Sequence, residues 1–183
     1  MGLVFTSGEW EPGRLPGDWL GDDGFPRALR VTRREVWARG GDVVRDGEYE
    51  WRVVPPDPTW PELRLRFVPS GQDAGDVGID VPGARYTRGV LVDSAMAYQN
   101  EPGRPPSDPG LTYLDSAVLG ILNGGLHEWT AFGEDGEWVE RGWALDDHFG
   151  GHGSREFNVG LPPDRRVVVR REHRDVPGWP PVG

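Results

Sequence analysis

His148 and His152 stand four residues apart in the glycine-rich stretch DDHFGGHGS at 146–154, with Asp146 and Asp147 before them and Arg155 just after. Imidazole beside carboxylate can ligate a divalent cation or share a proton. A His-x3-His pair coordinates most naturally on a helix, and Gly150, Gly151 and Gly153 argue against a helix here. A solvated loop is therefore the plainer expectation. A zinc site would need a third ligand, for which His127 is the natural candidate, and neither metal nor cofactor is expected. Asp73, Asp76 and Asp80 in DAGDVGID do not have the spacing of an EF-hand loop and read as turn formers before a strand.

Nine tryptophans are the other feature with chemical consequences: Trp10, Trp19, Trp37, Trp51, Trp60, Trp129, Trp138, Trp143 and Trp179. Each either packs the core of a chain poor in isoleucine and methionine or stands as a platform for a partner. Trp138 and Trp143 share a strand with Glu137 and Glu140, which makes them the best platform candidates. With Asp147, His148, His152 and Arg155 they form the candidate contact set for a ligand or partner.

Much chemistry is excluded. The chain has no cysteine, so disulfides, thiolate nucleophiles and thiolate metal sites are absent. It also has no lysine, all 20 basic residues being arginine, which removes Schiff-base chemistry and a phosphate-binding P-loop lysine. The motifs GxSxG, GxGxxG and HExxH are missing as well. A net charge of −10 with dispersed arginines argues against nucleic acid as partner. No apolar run reaches membrane-spanning length, and MGLVFTSGEWEPG lacks a basic region followed by a long apolar one. A soluble, cytoplasmic protein with no membrane partner is the expectation.

The elements that must position these residues are mostly strands. The spacing of Leu114, Ala117, Val118, Ile121 and Leu122 predicts one helix at about 112–123, with Asp115, Ser116 and Asn123 on its opposite face. Thr112 with Asp115 forms a short capping box, and Asn123-Gly124-Gly125 supplies the stop. Burying its apolar face is worth roughly 6–10 kcal/mol as an upper estimate. Asp46-Gly47 signals a hairpin, after which Tyr49, Trp51 and Val53 alternate with charged residues. Leu63, Leu65 and Phe67, then Val77, Ile79 and Val81, repeat that pattern. Ala28–Arg39 fits either period, with Val31, Val36 and Trp37 favouring an extended form.

Leu126–Phe132 and Glu137–Leu145 should pair across Gly133–Gly136, setting Phe132 near Val139 and Thr130 near Arg141. Alternation at Phe157, Val159 and Leu161 suggests another strand, and Val167 and Val169 place a final one at Arg165–Arg171. Residues 99–110 read as a long surface loop and 176–183 as an irregular tail within a single domain spanning 1–183.

About nine short strands and one helix predict a mainly β, α+β fold, an antiparallel sheet or open barrel closed by that helix. The functional expectation is a non-catalytic acidic protein that binds another protein, possible roles being immunity-type inhibitor, adaptor or assembly component. Its negative charge would steer it toward a basic partner. The competing reading is a small-molecule-binding β-barrel enzyme or carrier with a pocket walled by tryptophan and histidine. Carbohydrate binding is a third and weaker one.

Overall fold

The computed structural model describes residues 19–67, 76–85, 90–93, 110–148 and 152–180. Trp10, Asp73, residues 99–109 of the long loop and the centre of the histidine loop at 149–151 lie outside them. The described residues are mainly β, in two open antiparallel sheets with two α-helices.

The first sheet is a five-stranded meander of β1 (Asp42–Arg45), β2 (Glu50–Val54), β3 (Leu63–Phe67), β4 (Asp76–Asp80) and β5 (Val90–Asp93), each paired with the next. Strict alternation decides which face is wet. Trp51, Val53, Leu63, Leu65, Phe67, Val77 and Ile79 are buried. The opposite face carries cross-strand ion pairs, with Arg66 Nε 3.0 Å from Glu50 and Arg52 Nη1 3.0 Å from Glu62. The hairpin at Asp46-Gly47 forms as expected, and Val43 lies opposite Val53.

The helix expected at 112–123 is α2 (Tyr113–Leu122). Its capping box is complete: Thr112 Oγ1 accepts the Asp115 N–H at 3.0 Å, and Asp115 Oδ2 accepts the Thr112 N–H at 3.4 Å. Gly124 adopts the left-handed conformation that ends it. Its polar side, however, is not solvated. Asp115 and Ser116 are as buried as the apolar stripe, because a second helix covers Asp115 and the chain at 146–148 covers Ser116.

That second helix, α1 (Arg30–Ala38), corrects the extended reading of Ala28–Arg39. Leu29, Thr32 and Val36 are fully buried, three and four residues apart, so packing onto the core overrides the strand preference of Val31 and Trp37. Trp37 stays 53% exposed, with Arg33 stacked 4.4 Å over its ring and its indole N–H donating to Asp42 at 2.8 Å. Asp115 ties the helices together. Its Oδ1 accepts the Thr32 backbone N–H at 2.7 Å, while the Thr112 hydroxyl donates to Ala28 O at 2.8 Å.

The second sheet has the order β8-β7-β6-β9, with β6 (Leu126–Phe132), β7 (Trp138–Leu145), β8 (His152–Phe157) and β9 (Arg170–Asp175). Thr130 lies opposite Arg141 as expected, but a bulge at Ala131/Phe132 sets Phe132 opposite Trp138 instead of Val139. The alternation at 157–161 is a turn and no strand. Asn158 accepts the Gly160 N–H on its side chain, leaving Val159 86% exposed and Leu161 buried. The last strand also starts later than its valines suggested. Pro163–Arg165 forms a 3-10 turn, Val167–Val169 run exposed outside any strand, and the paired segment is RREHRD. An edge strand held by its backbone needs no apolar alternation, which is why the valines misled.

The main core lies between the first sheet and the two helices, and takes in Leu126 and Leu145 from one end of the second sheet. Val176 and Trp179 join it from the C-terminal side, so the stretch after β9 is irregular in backbone yet anchored.

Candidate functional site

Side-chain parity sorts the second sheet into two faces. One carries Leu126, Glu128 and Thr130 of β6 with Arg141, Trp143 and Leu145 of β7, and its Leu126–Leu145 end packs onto the main core. Glu128 there is fully buried. Both of its carboxylate oxygens receive the Arg85 backbone N–H, at 2.8 and 3.0 Å, and Arg174 approaches at 3.4 Å.

The opposite face is the candidate site. Register fixes three cross-strand rows running β9, β6, β7, β8. The first is Arg171, Ala131, Glu140, Phe157; the second is His173, Trp129, Gly142, Arg155; the third is Asp175, His127, Ala144, Gly153. Small residues at 131, 142, 144 and 153 keep the middle low, and the outer strands raise charged and aromatic side chains at the margins.

Glu140 is the anchor of this face, with its side chain only 10% exposed. Its Oε1 accepts the Trp129 indole N–H at 3.0 Å and lies 3.4 Å from Arg171; its Oε2 lies 3.9 Å from Arg155. One carboxylate thus fixes an indole and two guanidinium groups from three strands. Gly142 makes room for this arrangement: a Cβ there would lie 2.6 Å from the Trp129 ring, so any side chain at 142 displaces the indole. Arg155 in turn sits 5.6 Å over the Phe157 ring, and Phe157 is 47% exposed.

At the other end His127 lies between two aspartates, Nδ1 2.7 Å from Asp175 and Nε2 3.5 Å from Asp146. The short contact is the one at Nδ1, and the Nε2 side is partly exposed. His127 braces β6 against β9 and the end of β7. Among the described residues no group of three potential ligands is placed to hold a metal ion.

The candidate contact set from the sequence is divided by this geometry. Arg155 lies on the open face. Trp143 and Trp138 lie on the other, Trp143 packed against the core and Trp138 under the Arg141 guanidinium at 4.5 Å. Asp147 and His148 belong to α2: the His148 backbone N–H donates to Ser116 Oγ at 2.9 Å, and the chain at 146–147 rests against Gly120. His152 opens β8 opposite Leu145, and its side chain is outside the description. The residues the sequence reading missed are Trp129, Glu140, Arg171, His173 and Asp175. Trp129 and Ala131 against Glu140 and Gly142 is a parity signal, but it needs the pairing register to become visible.

No family model, curated protein or solved structure matches this chain. What the face does must be argued from its own geometry. That geometry is a shallow, preorganised surface of mixed charge with an indole at its centre. A hollow of about 280 Å3 lies beyond the far end of the sheet, lined by Glu134, Asp135, Asp164, Arg165 and Val167, with neither tryptophan nor histidine in its wall. Among the described residues no helix is long and apolar enough to cross a membrane.

Proposed function

We propose that this is a non-catalytic cytoplasmic protein that binds another protein through the open face of the β8-β7-β6-β9 sheet. The observation that carries the reading is the Glu140 cluster: a nearly buried carboxylate whose partners are the Trp129 indole, Arg171 and Arg155. Tryptophan and arginine dominate interface hot spots, and holding their rotamers before binding lowers the entropy lost on association. A shallow face with an indole at its centre suits a protein surface more than a small ligand, which needs a concave site that buries most of it. The net charge of −10 supplies long-range attraction toward a basic partner, while the alternating charges of the three rows select among partners at contact. A chain without cysteine gains nothing from an oxidising compartment, in keeping with a cytoplasmic setting.

The test is affinity capture from the native host with paired surface variants. Replacing Arg155 and Phe157 together by alanine removes an exposed stack from the open face. Replacing Arg64 and Arg66 together by alanine is the control, a double truncation on the wet face of the first sheet. The reading expects a specific partner whose retention falls at least tenfold with the first pair and is unchanged with the second. Equal retention by both pairs, or no specific partner at low salt, would count against it.

A further inference from the structure

We propose that a second copy of this chain pairs antiparallel with the exposed edge of β9, joining two four-stranded sheets into one of eight. This goes beyond the partner reading above and uses the outer edge of β9, whose Arg171, His173 and Asp175 also border the open face.

The backbone supplies the first half of the argument. The Val176 N–H donates to Leu126 O at 2.9 Å, so the hydrogen-bonded pairs of β9 with β6 fall on even-numbered β9 residues. Arg171, His173 and Asp175 therefore turn their N–H and C=O groups away from β6, toward the open edge. Among the described residues β9 is the end of its sheet.

Charge supplies the second half. A two-fold axis normal to the sheet keeps each face on its own side, so opposing residue numbers must sum to an even value. Centred on His173, the pairing sets Arg171 opposite Asp175 and Glu172 opposite Arg174, each twice, with His173 opposite its own copy. Shifted to Glu172, it would oppose Glu172 to itself and Arg170 to Arg174. Shifted to Arg174, it would oppose Arg174 to itself. A strand charged on both faces normally discourages edge pairing, but here the order of charges rejects the neighbouring registers and accepts one. The side chains keep capacity for new contacts, Arg171 being 46% and Asp175 80% exposed.

Sedimentation equilibrium across a concentration series tests this with the full chain. The wild-type protein is expected to move from 20.3 kDa toward twice that mass as concentration rises, and to shift back in high salt. His173→Pro removes an N–H that points to solvent in the single copy and to the second copy in the pair, so it should weaken association at least tenfold with an unchanged circular dichroism spectrum. Glu172→Arg, which places like charges opposite each other, should do the same and carries the test if the proline variant does not fold. A wild-type chain that stays at 20.3 kDa throughout, or an association that both substitutions leave intact, would overturn the proposal.

Discussion

Replacing Trp179 by alanine is expected to destabilise the protein by about 3–5 kcal/mol, read as a lower urea midpoint with an unchanged slope. The residue is 4% exposed and acts as a rivet at the junction of several elements. Its backbone N–H donates to Leu122 O at 2.6 Å, at the end of α2, and its indole N–H donates to Pro61 O at 2.8 Å, just before β3. Its ring lies 6.0 Å from that of Trp60 and so close over Gly41 that a Cβ there would meet it at 2.9 Å. Alanine leaves a large cavity and an unpaired carbonyl that the irregular chain around it is poorly placed to fill. Phenylalanine should recover most of the packing and lose only the Pro61 bond, at about 1 kcal/mol. A cost below about 1 kcal/mol for alanine would mean that residues after β9 are not part of the core.

The second large effect is a dependence of stability on pH centred on Asp115. Burial pushes its carboxyl up to about 6 from an ordinary 3.8, against the lowering influence of its bonds to Thr32 and Thr112. The geometry agrees with the direction. Asp115 is fully buried and no basic side chain among the described residues is bonded to it, while the one hydroxyl proton of Thr112 is shared between Ala28 O at 2.8 Å and Asp115 Oδ2 at 3.2 Å. Loss of water therefore outweighs the few donors that favour the ionised form.

Because the folded group holds its proton to higher pH than the unfolded one, the native state binds more protons between about 4 and 6. Its contribution is fully present below about 4 and is lost as pH rises through 6, a change of about 3 kcal/mol. Asp115→Asn keeps an acceptor for the Thr32 N–H and removes the titrating charge, while its amide NH2 gives up the long 3.4 Å bond from the Thr112 N–H, a cost that is the same at every pH. Urea unfolding at pH 4.5 and 7.5 should show the variant close to wild type at the lower pH and more stable at the higher. A wild-type minus variant difference that does not change with pH would remove Asp115 as the source.

Much of the fold was legible in the sequence, and the failures have physical causes. The α2 stripe with its Thr112 cap and Gly124 stop is local information, and so are the alternating strands of the first sheet and the Asp46-Gly47 turn. Burial of Asp115 and Ser116 was not legible. It depends on α1 lying across Asp115 and on the chain at 146–148 lying across Ser116, and α1 itself was hidden because Val31, Val36 and Trp37 prefer strands while the helical positions Leu29, Thr32 and Val36 only gain by packing. The bulge at Ala131/Phe132 leaves no mark in composition. β9 was misplaced because RREHRD is stabilised by ladder bonds and cross-strand charge, which a search for apolar alternation cannot find.

For the candidate site, Arg155 and the tryptophan-carboxylate strand were legible in the sequence, but not which side chains of that strand share a face. Trp143 has the parity of the core-facing side and Glu140 that of the open one; Trp138 shares the parity of Glu140, and only the bulge at Ala131/Phe132 sets it opposite Phe132 on the side of Arg141. Trp129, Arg171 and His173 join Glu140 only through pairing between strands 11 to 44 residues apart in sequence.

The central claim, that the open sheet face receives another protein, is tested most directly by photo-crosslinking from defined positions in the native host. A photoreactive phenylalanine analogue at position 157 lies on that face, and the same analogue at position 66 lies on the wet face of the first sheet. The account predicts one discrete protein adduct from position 157 and none from position 66, with the 157 adduct abolished by adding Trp129→Ala. Adducts of equal yield from both positions, or no protein adduct from position 157, would contradict it.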